Sequence, residues 1–127
     1  MKFKIFAILF LAILLGACRS ATVYDVKQVA VVSNKPNISK VDVRAAIVRA
    51  GGTLGWQIKD NGPDALIGTL MLRGHVAVVD IPYSEKEYSI KYKDSTNLNY
   101  DGTNIHSNYN GWVQNFHKAI NVQLGTM

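Results

Sequence analysis

Apolar and polar side chains alternate strictly from residue 88 to residue 93, which is the clearest pattern in the chain. The apolar members are Tyr88, Ile90 and Tyr92, and the positions between them are polar or charged. A period of two is typical of a half-buried antiparallel strand. We therefore predict a strand over Tyr88–Ser95.

Four further segments have the composition of strands, because they are rich in apolar and β-branched residues and are bounded by turn residues. They are Lys27–Val32, Trp56–Asp60, Ala65–Arg73 and His75–Tyr83. Ala65–Arg73 is apolar on both faces, since Leu66 and Leu70 alternate with Ile67 and Met71. Such a strand is either central in its sheet or covered by a partner.

Two segments have helical periodicity. In the first, Ser39 and Asp42 have the spacing of a capping box. The apolar positions that follow are Val43, Ala46, Ile47 and Ala50. We expect this helix to end at Gly51-Gly52, because glycine adopts the left-handed conformation without a steric penalty.

The second helix is expected at the C-terminal end of the chain. Its apolar stripe consists of Ile105, Tyr109, Trp112, Val113, Phe116 and Ile120. The order of predicted elements is then β-α-β-β-β-β-α. This order indicates an α+β fold, namely a two-layer sandwich in which an antiparallel sheet of about four to five strands carries two helices on one face.

The N-terminal residues have the pattern of a secretory signal. Lys2 and Lys4 precede an apolar run of eleven residues, Ile5–Leu15, and small residues then lead to Cys18, the sole cysteine. A membrane-spanning helix needs about 20 apolar residues, so we predict a cleaved signal peptide over residues 1–17. An odd thiol is unfavourable in an oxidising compartment, which favours lipidation of Cys18 over an ordinary cleaved signal.

The ending Leu15-Gly16-Ala17-Cys18 resembles the lipobox of bacterial lipoproteins, in which the cysteine is lipidated and becomes the first residue. By the same resemblance, Arg19 in place of an aspartate implies the periplasmic face of the outer membrane of a Gram-negative host. We expect residues 18–26 to form the lipidated cysteine and a short tether, and residues 27–127 to form one domain. Arg19–Asp25 spans at most about 25 Å when extended, which keeps that domain close to the membrane.

Removal of the signal changes the charge balance. Without Lys2 and Lys4 the chain has 12 basic and 9 acidic side chains, a formal charge of +3 instead of +5. The basic residues are scattered, whereas a nucleic-acid-binding protein concentrates them on one face. The expected partners are therefore the membrane, through the lipid on Cys18, and an envelope protein or the cell wall, but no nucleic acid.

The sequence contains no catalytic or metal-binding motif. His75 lies on a predicted strand, while His106 and His117 would lie about 16 Å apart along the C-terminal helix and could not share one ion. No serine lies in a Gly-x-Ser-x-Gly elbow, and the anchor uses Cys18. We expect no metal, no cofactor and no enzymatic activity.

The segment between residues 92 and 112 combines aromatic, amide and hydroxyl groups, which are the materials of a polar ligand pocket. The candidate ligand-binding residues are Tyr92, Asn97, His106, Asn108 and Asn110. The competing interpretation is structural, because Asn, Asp and Ser also form turns by bonding their own backbone.

Several short sequences of the predicted domain match a known pattern. They are Gly55-Trp56, Ile90-Lys91-Tyr92-Lys93-Asp94-Ser95, Asn97-Leu98, Ile105-His106, Asn108-Tyr109-Asn110 and Trp112. They resemble a family of small lipoproteins of Gram-negative bacteria that carry an N-terminal lipobox and have no established activity. The resemblance implies a compact domain and assigns no catalytic residue.

Three hypotheses about function follow. The first is a membrane-anchored, non-enzymatic interaction or structural module of the cell envelope. The second is a binding module for a small polar ligand such as a glycan or peptide fragment. The third, an envelope hydrolase, requires a histidine within about 3 Å of a serine or carboxylate.

Overall fold

The computed structural model describes residues 19–127, which form seven strands and two helices. In chain order the elements are β1 (Ser20–Thr22), β2 (Val26–Ala30), α1 (Lys40–Thr53), β3 (Gln57–Asp60), β4 (Ala65–Leu72), β5 (His75–Pro82), β6 (Glu87–Thr96), β7 (Asn104–His106) and α2 (Ser107–Gly125). The predicted signal peptide and Cys18 lie outside these residues.

Five of these strands form one antiparallel sheet in the order β2-β6-β5-β4-β3. The predicted α+β class and the order β-α-β-β-β-β-α are confirmed. β1 and β7 are additions to that order, and they form a separate two-stranded ladder. None of the helices within residues 19–127 has the length and apolar character needed to cross a membrane.

Part of the segment that we expected to be a tether belongs to the fold. Ser20 pairs with His106 in the β1–β7 ladder, and the N–H of Val23 donates to the carbonyl of Thr103 at 2.9 Å. A strand of three residues has too few positions to display a period of two. The pairing partner, β7, lies more than 80 residues further along the chain, so no local pattern predicts the pairing.

The capping box at the start of α1 is confirmed. The Ser39 hydroxyl accepts from the N–H of Asp42 at 3.1 Å, and the Asp42 carboxylate accepts from the N–H of Ser39 at 3.0 Å. These bonds, together with the Lys35 ammonium, lower the pKa of Asp42 from 3.8 to about 2. The predicted apolar positions of the helix are buried, and they are Val43, Ala46, Ile47 and Ala50.

The prediction that α1 ends at Gly51-Gly52 is wrong. The helix continues to Thr53, and the left-handed backbone conformation occurs at Gly55, where φ is +87°. Gly51 is instead buried against β3, since a Cβ atom at this position would lie 2.8 Å from Cγ1 of Ile58. Gly51 therefore permits close packing, and it does not stop the helix.

The apolar stripe of α2 is confirmed except at Ile105 and, in part, at Trp112. The buried side chains of the helix are Tyr109, Val113, Phe116, Ile120 and Leu124. Trp112 is only partly buried. Ile105 is fully buried but lies in β7, and α2 begins at Ser107 after His106 as N-cap. Ile105 contributes to the same core from β7. It lies four residues before Tyr109, which is also the spacing of one helical turn, and the sequence pattern therefore assigned it to the helix.

The core joins both helices to the three inner strands of the sheet. The members from these strands are Leu66 and Leu70 of β4, Ala77, Val79 and Ile81 of β5, and Tyr88 and Ile90 of β6. Trp56, just before β3, stacks on Phe116 of α2 with ring centroids 5.1 Å apart. Gly68 in β4 leaves room for this stack, because a Cβ atom there would lie 3.3 Å from the Trp56 ring.

The remaining positions of β4 and β5 form a partly exposed surface, which we call the outer sheet face. It consists of Ile67, Thr69, Met71, Val76 and Val78, which alternate with the core positions. Met71 is the most open of the apolar members, at 62 % exposed. The sequence predicted strands with two apolar faces, and the structure confirms that the second face is incompletely covered within residues 19–127.

Charged residues border the outer sheet face on both sides. Lys59 of β3 lies opposite Ile67, and Asp94 of β6 lies opposite Val78. Lys93 of β6 makes an ion pair with Asp80 of β5 at 3.4 Å. An apolar centre with a charged rim is the usual composition of a non-obligate protein interface.

Substitution of the two adjacent glycines of α1 should have opposite effects. We expect Gly51→Ala to lower the free energy of unfolding by about 1–3 kcal/mol, because the methyl group overpacks against Ile58. Gly52→Ala should raise it by about 0.5–1 kcal/mol, because alanine favours the helix and nothing lies within 4 Å of the new methyl group. Urea denaturation of both variants measures the difference, and equal effects would contradict the assigned role of Gly51.

Candidate functional site

Two of the five candidate ligand-binding residues line one cleft. This cleft, which we call the tyrosine cleft, has a volume of about 400 Å³ and lies at the end of β6 and in the loop that follows. Its lining residues are Tyr92, Asp94, Ser95, Asn97, Leu98, Asn99 and Tyr100. Phenol, hydroxyl, amide and carboxylate groups therefore face a single concavity.

Aromatic contacts position the Tyr92 side chain. Its ring lies 4.0 Å from that of Tyr100 and contacts Tyr109 edge-on at 5.6 Å. Its hydroxyl shares a hydrogen bond with the Ser95 hydroxyl at 2.8 Å, and its backbone N–H donates to the Asp25 carboxylate at 2.9 Å. Burial raises the pKa of Tyr92, with a smaller contribution from Asp94, so the phenol stays protonated at neutral pH.

The loop after β6 is held in one conformation by its own polar groups. Asn97 and Asn99 have left-handed backbone, with φ of +59° and +51°, which asparagine tolerates better than most residues. The Asn97 amide donates to the carbonyl of Gly74 at 2.8 Å. The Asp101 carboxylate accepts from the N–H groups of Asn104 and Thr103, and these bonds lower the pKa of Asp101. Hydrogen bonds within the protein therefore fix the backbone of this wall of the cleft.

The other three candidate residues do not line the tyrosine cleft. His106 is the N-cap of α2, and its Nδ1 accepts from the N–H of Asn108 at 3.2 Å. Asn110 binds the chain around β1, because its side chain accepts from the N–H of Tyr24 and donates to the carbonyl of Thr22, both at 2.9 Å. Asn108 is exposed. The structure thus assigns His106 and Asn110 to backbone contacts, as the structural interpretation of this segment predicted.

The three histidines make hydrogen bonds with different groups, although the rings of His75 and His106 lie 6.3 Å apart. His75 Nδ1 is 2.7 Å from the carbonyl of Asn97, and His117 Nδ1 is 2.7 Å from the Tyr88 hydroxyl. His106 lies in β7, so the expectation that it shares a helix with His117 is wrong. Among residues 19–127 no histidine is hydrogen-bonded to a serine or a carboxylate, and no cluster of potential metal ligands is present.

A second cleft, which the sequence analysis did not identify, is apolar. This Trp112 cleft has a volume of about 140 Å³ and is lined by Leu54, Trp56, Leu70, Leu72, Trp112 and Asn115. Leu54 is 39 % exposed and Leu72 is 42 % exposed. The two tryptophans, Trp56 and Trp112, were the signal that could have pointed to this cleft. The helical spacing of Trp112 instead led to the prediction that its side chain belongs entirely to the core.

A third cleft, of about 340 Å³, lies near the turn between β5 and β6, where Tyr83, Glu87, Tyr88 and Lys91 contribute to its lining. The Tyr88 hydroxyl is hydrogen-bonded to His117 Nδ1 and donates to the side-chain Oδ1 of Asn121, each at 2.7 Å. Burial raises the pKa of Tyr88 and lowers the pKa of His117, so both groups are neutral at pH 7.

Comparisons with known proteins identify no relative. A scan against protein-family models, a search of the curated proteins and a search of the solved structures each return no match.

Two buried tyrosine hydroxyls provide a test of the described hydrogen bonds. Tyr88→Phe should lower the free energy of unfolding by about 1–2 kcal/mol, because His117 and Asn121 lose their partner. Tyr109→Phe should leave it unchanged or raise it, since the Tyr109 hydroxyl is buried and has no partner among the described protein groups. Thermal and urea denaturation measure both variants, and a larger loss for Tyr109→Phe would contradict this assignment.

Proposed function

We propose that this protein is a lipid-anchored, non-enzymatic module of the cell envelope, attached through Cys18 at the periplasmic face of the outer membrane. The observation that carries the proposal is the leader that ends in Leu15-Gly16-Ala17-Cys18. It combines a basic start, an apolar run too short to span a bilayer and a single cysteine after small residues. Acyl chains on that cysteine anchor the domain at a bilayer.

The outer sheet face is the surface through which we propose that the module binds an envelope protein. It has an apolar centre of Ile67, Met71, Val76 and Val78, and lysines and aspartates surround it. A contiguous apolar patch exposed on a folded protein commonly marks an interaction site. The charged rim would select a partner with complementary charges around its own apolar patch.

Photo-crosslinking in intact cells tests this proposal. A photoreactive amino acid at Thr69, at the centre of the outer sheet face, should give a covalent adduct with one envelope protein. The same group at Val41 of α1, an apolar position that is 75 % exposed, is the matched control and should give none. Adducts from both positions, or from neither, would contradict an interface on this face. An adduct that a muramidase degrades would assign the face to the cell wall instead.

A second candidate function is the binding of a small polar ligand, a glycan or a peptide fragment, in the tyrosine cleft. The observation that favours it is the convergence of Tyr92, Asn97, Asp94 and Tyr100 on one preformed concavity of about 400 Å³. Ligand pockets have volumes of about 300–1,000 Å³ and a few convergent polar groups.

Thermal unfolding in the presence of soluble cell-wall fragments tests the second candidate. A fragment present at about 100 times its Kd should stabilise the folded protein by about 2.7 kcal/mol. Tyr100→Ala should abolish this stabilisation, because Tyr100 is 38 % exposed and its ring packs against that of Tyr92 at the cleft. Lys59→Ala, on β3, is the control that should retain it. Equal stabilisation of both variants would exclude the tyrosine cleft as the site.

A further inference from the structure

The position at which the chain enters the fold constrains the orientation of the domain. Ser20 is already part of β1, where it pairs with His106, so only Arg19 separates the fold from Cys18. Two residues span at most about 7 Å. The protein surface around Ser20 and His106 therefore lies beside the proposed lipid on Cys18.

Aromatic contacts connect this entry point to the Trp112 cleft. The His106 ring lies 6.3 Å from the ring of His75, and the His75 ring lies 6.2 Å from that of Trp112. His75 is also the β5 partner of Leu72, which lines the cleft. The chain entry and the Trp112 cleft thus belong to one end of the molecule.

The chemistry of this end suits the boundary between headgroups and acyl chains. Asn115 is the single polar residue among the six that line the cleft, and Leu54 and Leu72 are each about two-fifths exposed. Tryptophan is enriched at membrane–water interfaces, where its ring is half in apolar surroundings. Arg73 follows Leu72 at the tip of β4, and Arg19 follows the anchor, so two cations are available to anionic headgroups.

The opposite end of the sheet has a different composition. The turn between β5 and β6 contains Ser84, Glu85 and Lys86, with Glu87 at the start of β6. Two glutamates there disfavour contact with an anionic membrane surface. The domain is therefore polarised along β5, with an apolar and cationic end near Arg73 and an acidic turn at the other end.

We propose that the end of the domain that carries Leu54, Leu72, Trp112 and Arg73 docks on the phospholipid bilayer that holds the anchor. The inference rests on the proposed lipidation of Cys18. In this orientation the bilayer covers the Trp112 cleft, and the turn between β5 and β6 points into the periplasm. The short connection from Cys18 to Ser20 holds this end at the membrane surface, and the leucines and Trp112 enter the interface.

Site-directed spin labelling of the lipidated protein tests the docking surface. Cys18 is the sole cysteine and its sulfur is blocked by the lipid, so Leu72→Cys and Glu85→Cys each introduce one reactive thiol at opposite ends of the sheet. The nitroxide-labelled proteins are reconstituted into vesicles of phosphatidylethanolamine and phosphatidylglycerol. Collision with a water-soluble paramagnetic reagent should be severalfold lower for the label at position 72 than for the label at position 85.

Flotation of the same vesicles separates the two proposals. Equal access of the reagent to both labels, in protein that floats with the vesicles, overturns the docking surface and leaves the lipid anchor intact. Protein that does not float, and whose mass lacks the lipid, overturns the anchor and with it the docking surface. Preferential protection of position 72 that disappears when Cys18→Ser removes the lipid supports both.

Discussion

The fold depends on the close approach of α1, β3, β4 and α2 around a few large side chains. A Cβ atom at Gly51 would lie 2.8 Å from Cγ1 of Ile58, and one at Gly68 would lie 3.3 Å from the Trp56 ring. These two glycines bring backbone within contact distance of Ile58 and of the Trp56–Phe116 stack. Dense packing of this kind supplies the stability that a small domain without disulfides needs. These contacts fix the position of the sheet relative to both helices.

The outer sheet face and the clefts are consequences of that arrangement. Because β4 and β5 use alternate positions for the core, the positions between them form the outer sheet face. The loop after β6 is pinned by Leu98, which is buried and whose carbonyl accepts from the N–H of His106 at 2.8 Å. The loop that lines the tyrosine cleft is therefore attached to β7 and to the core. The Trp112 cleft lies where the end of β4 meets the first turns of α2, at the end of the molecule where the chain enters the fold.

Sequence patterns predicted the elements better than they predicted the roles of individual residues. The capping box of Ser39 and Asp42 and the strand around Tyr88 and Ile90 were correct, because each depends on neighbours within one element. Ser89 lies at an expected exposed position but is buried, because its hydroxyl accepts from the N–H of Gln28 on β2. Gly51 was misassigned as a helix stop, because its role depends on Ile58, which belongs to another element. Of the five candidate ligand-binding residues, Tyr92 and Asn97 line one cleft. Asn110 instead binds the backbone around β1, and its hydrogen bond with Tyr24 joins residues that are 86 positions apart in the chain.

The sequence by itself determined the class of fold and the order of its main elements, and it is also the sole basis of the proposed leader that ends in Cys18. These properties are encoded in local periodicity and in short motifs, which require no knowledge of distant contacts. Only the tertiary structure decided that Ser20 is already folded, that His106 caps α2 and that Trp112 lines an apolar cleft. Each of these depends on pairing or packing between distant segments. Spacing along the chain gives the face on which a side chain lies, but it does not give the group that the side chain meets.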